Sequence, residues 1–241
     1  MTKEVVTFPV AEQFVSLNGE GPRAGKRAAF LRFVGCNLTC AWCDTQWACK
    51  GEEMLGERTL DELVAFVAEQ EVEYVTLTGG EPLLQHHLDE LVLALSHIPH
   101  VQVIEIETNG AKDISALAEL RRRTPHTYED SECLGAQLVF TLDYKLPTSG
   151  MEPFMLPDNY TKLTFSDTVK FVVGSAADFD RMIEVVNTFH LADRCQVYVS
   201  PVFGMVEVSW LAEELLKRKL NGYTLQLQLH KLIWPKIEKG V

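Results

Sequence analysis

Short apolar runs recur along this chain with helical patterns between them, and this alternation constrains the fold more than any other feature. Seven runs have the length and β-branched content of strands. Several are continuous, as in parallel strands that are covered on both faces. They lie at residues 28–34, 73–77, 101–107, 137–142, 168–173, 196–199 and 224–229. Strands that alternate with helices at this spacing predict an α/β fold with a parallel sheet.

The helical patterns between these runs have recognisable starts and faces. In the clearest one, Thr59 and Glu62 have the spacing of a capping box. The apolar residues that follow fall on one face of a helix, and they are Leu60, Leu63, Val64 and Val67. We predict two further helices, one at residues 113–120 that is capped by Asp113 and one at residues 211–220.

The length of the chain favours an open barrel over a closed one. A closed barrel of eight strand–helix units takes about 250 residues with its loops, and this chain has 241. Residues 35–58 and 144–167 are expected to be loops. We therefore predict a single α/β domain over residues 1–241, an incomplete TIM-type barrel of about six or seven largely parallel strands. Segment 147–162, which contains Pro and Gly, is interpreted as a mobile loop or lid.

Charge and apolar content limit the partners and the location of the protein. The formal net charge is −12, which argues against direct binding of nucleic acid because a polyanion requires a basic face. The N-terminus lacks the apolar run of a secretory signal. No stretch approaches the roughly 20 apolar residues of a membrane span. We therefore expect a cytoplasmic protein without membrane contact, whose thiols stay reduced.

Four of the six cysteines lie within fourteen residues, at Cys36, Cys40, Cys43 and Cys49. Three thiolates with the spacing of the first three can hold an iron–sulfur cluster and leave one iron of a four-iron cluster open to a small molecule. Two alternatives are buried small side chains and a tetrahedral zinc site that includes Cys49. We interpret Cys49 as a bystander. The two isolated cysteines, Cys133 and Cys195, are interpreted as packed or inert.

The loop at residues 35–45 resembles the cluster motif of the radical SAM superfamily. In that motif the residue before the last cysteine is usually aromatic, as Trp42 is. Residues 78–82, Thr-Gly-Gly-Glu-Pro, follow a predicted strand and resemble the glycine-rich motif of the same superfamily. Glycines allow the backbone to approach a ligand closely, and backbone groups at the end of a strand can bind the amino group of S-adenosyl-L-methionine (SAM).

Further segments narrow the resemblance to one family. They are Leu-Asn-Gly-Glu-Gly-Pro at 17–22, Phe-Leu-Arg at 30–32, Glu-Thr-Asn-Gly at 107–110 and Gln-Leu-His-Lys at 228–231. Together they are similar to the 7-carboxy-7-deazaguanine synthase family of the queuosine precursor pathway. The resemblance extends from Phe14 to Trp234.

The resemblance implies a lyase that converts 6-carboxy-5,6,7,8-tetrahydropterin into 7-carboxy-7-deazaguanine with loss of ammonia. Its implied cofactors are a [4Fe-4S] cluster, SAM and Mg²⁺. SAM would yield a 5′-deoxyadenosyl radical that abstracts hydrogen from the pterin C6 position before Mg²⁺-assisted ring contraction. The resemblance also implies a homodimer and an electron donor such as flavodoxin or ferredoxin. It implies no side chain as a catalytic acid or base.

Site residues follow from the same resemblance. The cluster ligands would be Cys36, Cys40 and Cys43, and Thr45 would bind Mg²⁺. The SAM contacts would come from the backbone around Trp42, Cys43, Asp44, Gly80, Asp143, Tyr144 and Lys145. The pterin contacts would come from Leu17, Asn18, Gly19, Arg32 and Thr78.

Some of these positions admit a second interpretation from the residues alone. Arg32 could bind the pterin carboxylate bidentately or form a structural ion pair at a strand end. Glu20 could accept from the amino-pyrimidinone edge of the pterin or lie in a surface turn. His230 could take part in the site or be structural. The sequence departs from the family pattern in two places. Asn18 stands where many members have Gln, and Asp143-Tyr144 stands where many have Ser-Pro.

Two other functions share part of this pattern. A glycyl-radical-enzyme activase has the same cysteine spacing and the Gly-Gly-Glu-Pro segment, although residues 17–22 and Thr45 favour the pterin reaction. A non-catalytic metal-cluster or electron-transfer module is a different class of protein. Such modules rarely need 241 residues to hold one cluster.

Overall fold

A computed structural model describes residues 5–51, 54–123, 125, 127–237 and 239–241. In this part of the chain, nine strands form one sheet. The strands are β1 (Thr7–Leu17), β2 (Arg27–Phe33), β3 (Gly56–Thr59), β4 (Tyr74–Gly79), β5 (Val103–Thr108), β6 (Gln137–Tyr144), β7 (Thr168–Val173), β8 (Gln196–Pro201) and β9 (Tyr223–Leu225). Their order across the sheet is β3-β1-β2-β4-β5-β6-β7-β8-β9.

Eight α-helices accompany these strands in the described ranges. They are α1 (Gln46–Lys50), α2 (Leu60–Gln70), α3 (Leu88–Ser96), α4 (Ser115–Leu120), α5 (Pro157–Thr161), α6 (Ala176–Phe189), α7 (Val208–Lys217) and α8 (Leu229–Ile233). Short 3-10 turns lie between some of them. None of the described helices has the length and apolar character that crossing a membrane requires.

The predicted α/β fold is confirmed. From β2 through β4 to β9, every neighbouring pair of strands is parallel, and the sheet ends at edge strands instead of closing. All seven predicted strands are present. The last one is shorter than expected, because 223–225 is strand while 229–233 forms α8.

Two strands were not predicted. Strand β1 pairs antiparallel with β2, and β3 pairs antiparallel with the outer edge of β1. Strand β1 contains Pro9 and a register shift between Val10 and Glu12, so its apolar residues do not keep the period of two that identifies a strand. The expected loop at 35–58 is therefore partly wrong, since it contains α1 and the start of β3. Residues 52 and 53 lie outside the described ranges.

The helix starts follow local chemistry. At α2, Thr59 Oγ1 accepts from Glu62 N at 3.2 Å, and Thr59 N donates to Glu62 Oε2 at 2.7 Å, which confirms the predicted capping box. Helix α4 begins two residues later than predicted, and the Asp113 carboxylate accepts from Ser115 N at 3.0 Å. Helix α7 runs from 208 to 217, three residues earlier than predicted.

Segment 147–162 is packed against the rest of the protein. The prediction of a loop is wrong for 157–161, which form α5. Tyr160 in this helix is fully buried, and its ring packs in a tilted arrangement 5.4 Å from the ring of Phe189 in α6. Ser149 O accepts from Ala41 N of the cysteine loop at 3.1 Å. The segment therefore helps to fix the position of that loop.

The two faces of the parallel strands differ in chemistry. One face, here called the helix-covered face, carries fully buried apolar side chains such as Leu31, Leu77 and Phe140, which pack against the helices. The residues between them point to the other face, here called the polar face. It carries Arg32, Thr76, Thr78, Glu105, Glu107, Thr141, Asp143, Thr168, Lys170 and Ser200.

The connection between β1 and β2 lies against the polar face. Arg23 Nη2 reaches Glu105 Oε1 of β5 at 2.9 Å, and Lys170 Nζ of β7 lies 2.6 Å from Glu20 Oε2. Gly21 N donates to Gln226 Oε1, beyond β9, at 2.6 Å. These contacts span most of the sheet from one connection, so the sheet must curve around it. The curvature is that of an open, partial barrel with a polar interior.

Candidate functional site

The cysteine loop follows β2 directly and is fixed against the end of β4. Gly80 N donates to Phe33 O at 3.2 Å, and Glu81 N donates to Gly35 O at 2.8 Å. A Cβ on Gly80 would lie 2.0 Å from Gly35 O, and a Cβ on Gly79 would lie 2.3 Å from Phe33 O. Both glycines therefore allow two backbone segments to touch. The sequence interpretation gave these glycines only a ligand-binding reason, and this packing reason was missed.

Glu81, the acidic residue of the same motif, fixes the end of β5. It is fully buried, and its carboxylate accepts from Leu83 N, Thr108 Oγ1 and Asn109 N at 3.0, 2.7 and 2.7 Å. Burial raises the pKa of Glu81 to about 7, although these hydrogen bonds lower it. The residue therefore orients the strand ends around the cysteines.

Asn109 brings the end of β5 to the cysteine loop. Its Nδ2 donates to Asn37 Oδ1 at 2.9 Å and lies 3.7 Å from Cys36 Sγ. Neither Glu81 nor Asn109 was among the predicted site residues. Polar residues directly after a parallel strand were the available signal, because the carboxyl ends of such strands form the site edge of an α/β fold.

The thiols of the loop have the chemistry of thiolate ligands. All six cysteines are free. Hydrogen bonding from Cys49 lowers the pKa values of Cys36 and Cys43 to about 6, and Thr45 Oγ1 lies 3.7 Å from Cys43 Sγ. Burial raises the pKa of Cys40, while the ammonium of Lys145 opposes this shift. Two of the three predicted ligands thus favour the ionised form that binds iron.

Cys49 lies closer to the site than the sequence suggested. Helix α1 places its thiol within hydrogen-bonding reach of Cys36 and Cys43. Even so, no three His, Cys, Asp or Glu side chains in the described residues converge on a point where one metal ion could bind.

A network of buried charges lies on the polar face beside the loop. Asp143 forms ion pairs with Lys145 and, at 3.7 Å, with Lys170. Burial lowers the pKa of Lys170, but the carboxylates of Asp143, Glu20 and Glu107 outweigh this and raise it well above its usual value. Burial likewise raises the pKa of Asp143, and the two lysines outweigh it and lower the pKa. Asp143, Lys145 and Lys170 are therefore charged at neutral pH.

Glu107 is a titratable residue that the predictions did not include. Burial, with repulsion from Glu105, raises its pKa to about 7 against the attraction of Lys170, and Thr78 shares a hydrogen bond with it. The protonated form of this carboxyl is thus more favoured than in an ordinary glutamate. A group in this state can donate or accept a hydrogen bond toward a ligand on the polar face.

Arg32 lies beside Thr78 in the β2–β4 register. Its Nε donates to Glu12 Oε1 of β1 at 2.7 Å, and the two side chains are 15% and 14% exposed. The structure therefore contains the ion pair that the sequence offered as the second interpretation of Arg32. This contact uses Nε, so it does not exclude a ligand on the terminal nitrogens.

Three predicted pterin residues lie at the end of β1 and in the connection to β2, which lies against the polar face. Asn18 is buried, and its Oδ1 accepts from Thr76 Oγ1 at 3.3 Å. Gly19 O accepts from Leu229 N at 3.0 Å, and the ring of His230 packs directly against Gly19. Leu17 is more exposed than the others. His230 thus lies at the start of α8 and not at a strand end.

Several buried polar atoms on this side have no hydrogen-bond partner among the described residues. They include Asn18 Nδ2, Thr168 Oγ1, Ser200 Oγ, Gln226 Nε2 and, in the cysteine loop, Trp42 Nε1. Unpaired buried donors and acceptors cost free energy unless a ligand or water satisfies them. A polar ligand with many hydrogen-bonding groups would satisfy these atoms.

The remaining predicted residues fall into two groups. Lys145 Nζ lies 5.6 Å from the Trp42 ring, and Lys231 Nζ lies 3.2 Å from Asp44 Oδ2, so these side chains border the cysteine loop. The Tyr144 side chain points into the helix-covered core, where its ring is 5.7 Å from Phe171. Only the backbone of Tyr144 can face a ligand on the polar side.

Comparison with known proteins first defines the class. The pattern described as Radical SAM superfamily matches residues 31–129, the part that contains the cysteine loop and the glycine motif. The structure resembles the crystal structure of QueE from Escherichia coli with a TM-score of 0.65 over 91% of this chain and 94% of that chain, at 22% identity. The fold and the loop define a radical SAM enzyme, whose cofactors are a [4Fe-4S] cluster and SAM.

Relatives then define the family. The 7-carboxy-7-deazaguanine synthase of Clostridium acetobutylicum is 38% identical over 98% of this chain and 100% of its own length. Proteins of the same name from Methanospirillum hungatei and Leptospira interrogans are 34% and 32% identical over 93% of this chain, and the matches cover 84% and 94% of those proteins. The chain belongs to the 7-carboxy-7-deazaguanine synthase family. The family, the partial-barrel fold and the radical SAM lyase class that the sequence predicted are therefore confirmed.

Proposed function

We propose that this enzyme converts 6-carboxy-5,6,7,8-tetrahydropterin into 7-carboxy-7-deazaguanine with loss of ammonia, in queuosine biosynthesis, and that one domain, residues 1–241, carries the reaction. The observation that supports this most is the polar face of the partial barrel. It presents a carboxyl of raised pKa, a guanidinium and several amide and hydroxyl groups without a partner among the described residues, beside a three-thiol loop. Such a surface suits a small, flat molecule with many donors and acceptors and one carboxylate.

The cysteine loop would hold the cofactors. Cys36, Cys40 and Cys43 would bind three irons, and the fourth iron would stay free for SAM. When bound, the cluster and SAM together supply a 5′-deoxyadenosyl radical that can abstract a hydrogen atom from the substrate. The SAM contacts would come from the backbone at Trp42–Asp44, Gly80 and Asp143–Lys145. Lys145 beside Asp143 would hold the SAM carboxylate through its ammonium.

The polar face would hold and orient the pterin. The terminal nitrogens of Arg32 would bind its carboxylate. Thr78, Leu17, Asn18 and Gly19 would contact its ring, Asn18 through the amide nitrogen that lacks a partner among the described residues. Glu107 lies next to Thr78 and would exchange a proton or a hydrogen bond with a ring nitrogen. Burial of these groups would exclude water from the reacting carbon.

Thr45 would bind Mg²⁺. Its hydroxyl lies at the start of α1 and 3.7 Å from Cys43 Sγ, which places an oxygen ligand beside the cluster loop. Mg²⁺ prefers oxygen ligands and keeps several waters, so one hydroxyl and substrate oxygens can complete its shell. Thr45→Ala should weaken the dependence of turnover on Mg²⁺. An unchanged Mg²⁺ titration would remove the residue from the ligand set, and Thr39→Ala is the control on the same loop.

A radical SAM enzyme uses a small-molecule substrate and a reductant. We propose flavodoxin or ferredoxin as the electron donor and a homodimer as the assembly. We also propose a cytoplasmic location, which is supported by the need to keep the ligand thiols reduced.

The deciding experiment is turnover by the anaerobically reconstituted enzyme. We expect one four-iron cluster per chain and 7-carboxy-7-deazaguanine as product when pterin, SAM, reductant and Mg²⁺ are all present. Formation of 5′-deoxyadenosine without pterin turnover would instead support the activase function. The Cys49→Ala variant should keep its iron content, since three thiolates complete the ligand set.

A further inference from the structure

A β-bulge on β1 places one acidic side chain on the polar face. Val10 pairs with Phe33, and Glu12 pairs with Arg32, the residue before Phe33, so that Ala11 is an extra residue. In a regular strand, residues two apart point to the same face. Here Val10 is fully buried in the helix-covered core, while Glu12 contacts Arg32 on the polar face. The bulge therefore turns Glu12 toward the site, as bulges near active sites often do.

The Glu12 carboxylate accepts one hydrogen bond from Arg32 and another from the backbone of Gly240. Its Oε1 accepts from Arg32 Nε at 2.7 Å, and its Oε2 accepts from Gly240 N at 3.1 Å. Both side chains of the ion pair are largely buried, so the contact is less screened by solvent than an exposed pair. A carboxylate bound to Nε fixes the plane of the guanidinium and leaves Nη1 and Nη2 as the pair that can bind another carboxylate.

The order of the strands places Glu12 on the outer side of Arg32. Strand β1 flanks β2 on one side, and β4 flanks it on the other, with Thr78 opposite Arg32. Thr78 and Glu107 therefore lie on the inner side of Arg32, toward the centre of the polar face. Glu12 approaches from the edge and does not occupy the space between Arg32 and those residues.

We propose that Glu12 is a positioning residue for substrate binding, which orients Arg32 so that its terminal nitrogens meet the pterin carboxylate. This inference rests on the proposed function, because it takes the pterin as the ligand of Arg32. Glu12 partly neutralises Arg32, and this lowers the attraction for an anion. The fixed orientation of the guanidinium outweighs that loss, since a bidentate contact depends on geometry as well as charge.

Two substitutions of Glu12 test the proposal in the reconstituted holoenzyme. Glu12→Ala should raise the Kd and KM for 6-carboxytetrahydropterin about tenfold, an effect of the size expected for one charged hydrogen bond, with kcat changed much less. Glu12→Gln should stay within about threefold of the parent enzyme, because its amide oxygen can still accept from Nε. Iron content and thermal melting check that each variant folds. Glu12→Met, which keeps the side-chain volume, takes the place of Glu12→Ala if that variant does not fold.

A double-mutant cycle separates positioning from a general structural effect. In the Arg32→Ala background, Glu12→Ala should change the Kd no further, because the residue that it orients is absent. Glu214→Ala is the matched control, since Glu214 also accepts from an arginine Nε, at 2.9 Å, and its side chain is 13% exposed, but it lies on α7. This control should leave Kd and KM unchanged.

The outcomes that contradict the proposal are distinct. An unchanged or tighter Kd in Glu12→Ala would show that Glu12 is neutral or competes with the substrate, and additive effects in the Arg32→Ala background would show an independent role. If the parent enzyme makes deazaguanine but Glu12 has no effect, only this inference is wrong. If the parent enzyme binds no pterin while it still releases 5′-deoxyadenosine from SAM, the proposed function is wrong as well.

Discussion

The two faces of one sheet divide stability from chemistry in this protein. On the helix-covered face, side chains such as Leu77 and Phe171 are fully buried among apolar neighbours, and their burial stabilises the fold. On the polar face, the charged side chains of Asp143 and Lys170 are only 20% and 17% exposed, and this partial burial costs desolvation that the ion pair only partly offsets. Adjacent residues on a strand thus have opposite roles, and buried charge marks the face that binds a ligand.

The largest contrast should come from two cysteines, one in the cysteine loop and one in the helix-covered core. Cys40→Ala removes a predicted cluster ligand, so we expect loss of bound iron and of 5′-deoxyadenosine formation. Cys195→Ala, in the helix-covered core, should keep the iron and lower the free energy of unfolding by about 1 kcal/mol. Iron analysis, visible absorption and denaturant unfolding measure both effects. Full iron in Cys40→Ala would contradict the assignment of the ligand.

Substitutions of two adjacent residues on β4, which point to opposite faces of the sheet, should affect stability and activity separately. Leu77→Ala leaves a cavity in the core and should lower the free energy of unfolding by about 2–5 kcal/mol, while the folded fraction keeps its kcat/KM. Thr78→Val keeps the volume of the side chain and should change stability by less while it reduces kcat/KM. Urea unfolding measures the stability of both variants, and steady-state kinetics measures their kcat/KM. Equal losses of kcat/KM in the two variants would show that stability and activity are not divided between the two faces at this position.

A third contrast is the dependence of stability on pH. The pKa of Glu107 is raised to about 7 in the folded protein, so between its unfolded value near 4.5 and pH 7 the folded state binds more protons than the unfolded state. Stability should therefore fall as pH rises through this window, by about 1.4 kcal/mol for each unit of pKa shift. Glu107→Gln should remove this part of the decrease, as measured by unfolding at pH 5 and pH 8. Glu119→Gln, an exposed residue paired with Arg122 at 3.6 Å, is the control and should leave the pH dependence unchanged.

Much of the parallel sheet could be predicted, because strands covered on both faces have continuous apolar sequences. Strand β1 could not, since Pro9 and the bulge at Ala11 break its pattern, and pairing with β2 and β3 overrides local preference. The three-cysteine loop was recognisable from its spacing, and the glycine motif from its resemblance to the motif of the radical SAM superfamily. The sequence could not show why position 80 needs a glycine. The backbone carbonyl that approaches Gly80 belongs to Gly35, which lies 45 positions earlier in the chain.

The sequence by itself determined the class of fold, the cluster loop and the family, because each depends on a local pattern or on a short motif with fixed spacing. Only the tertiary structure decided which side chains meet. It placed Cys49 beside Cys36, Glu12 beside Arg32, and Glu107 between Thr78 and Lys170. These contacts depend on strand order, on a one-residue bulge and on burial, which raises or lowers pKa values. None of these can be derived from the spacing of residues along the chain.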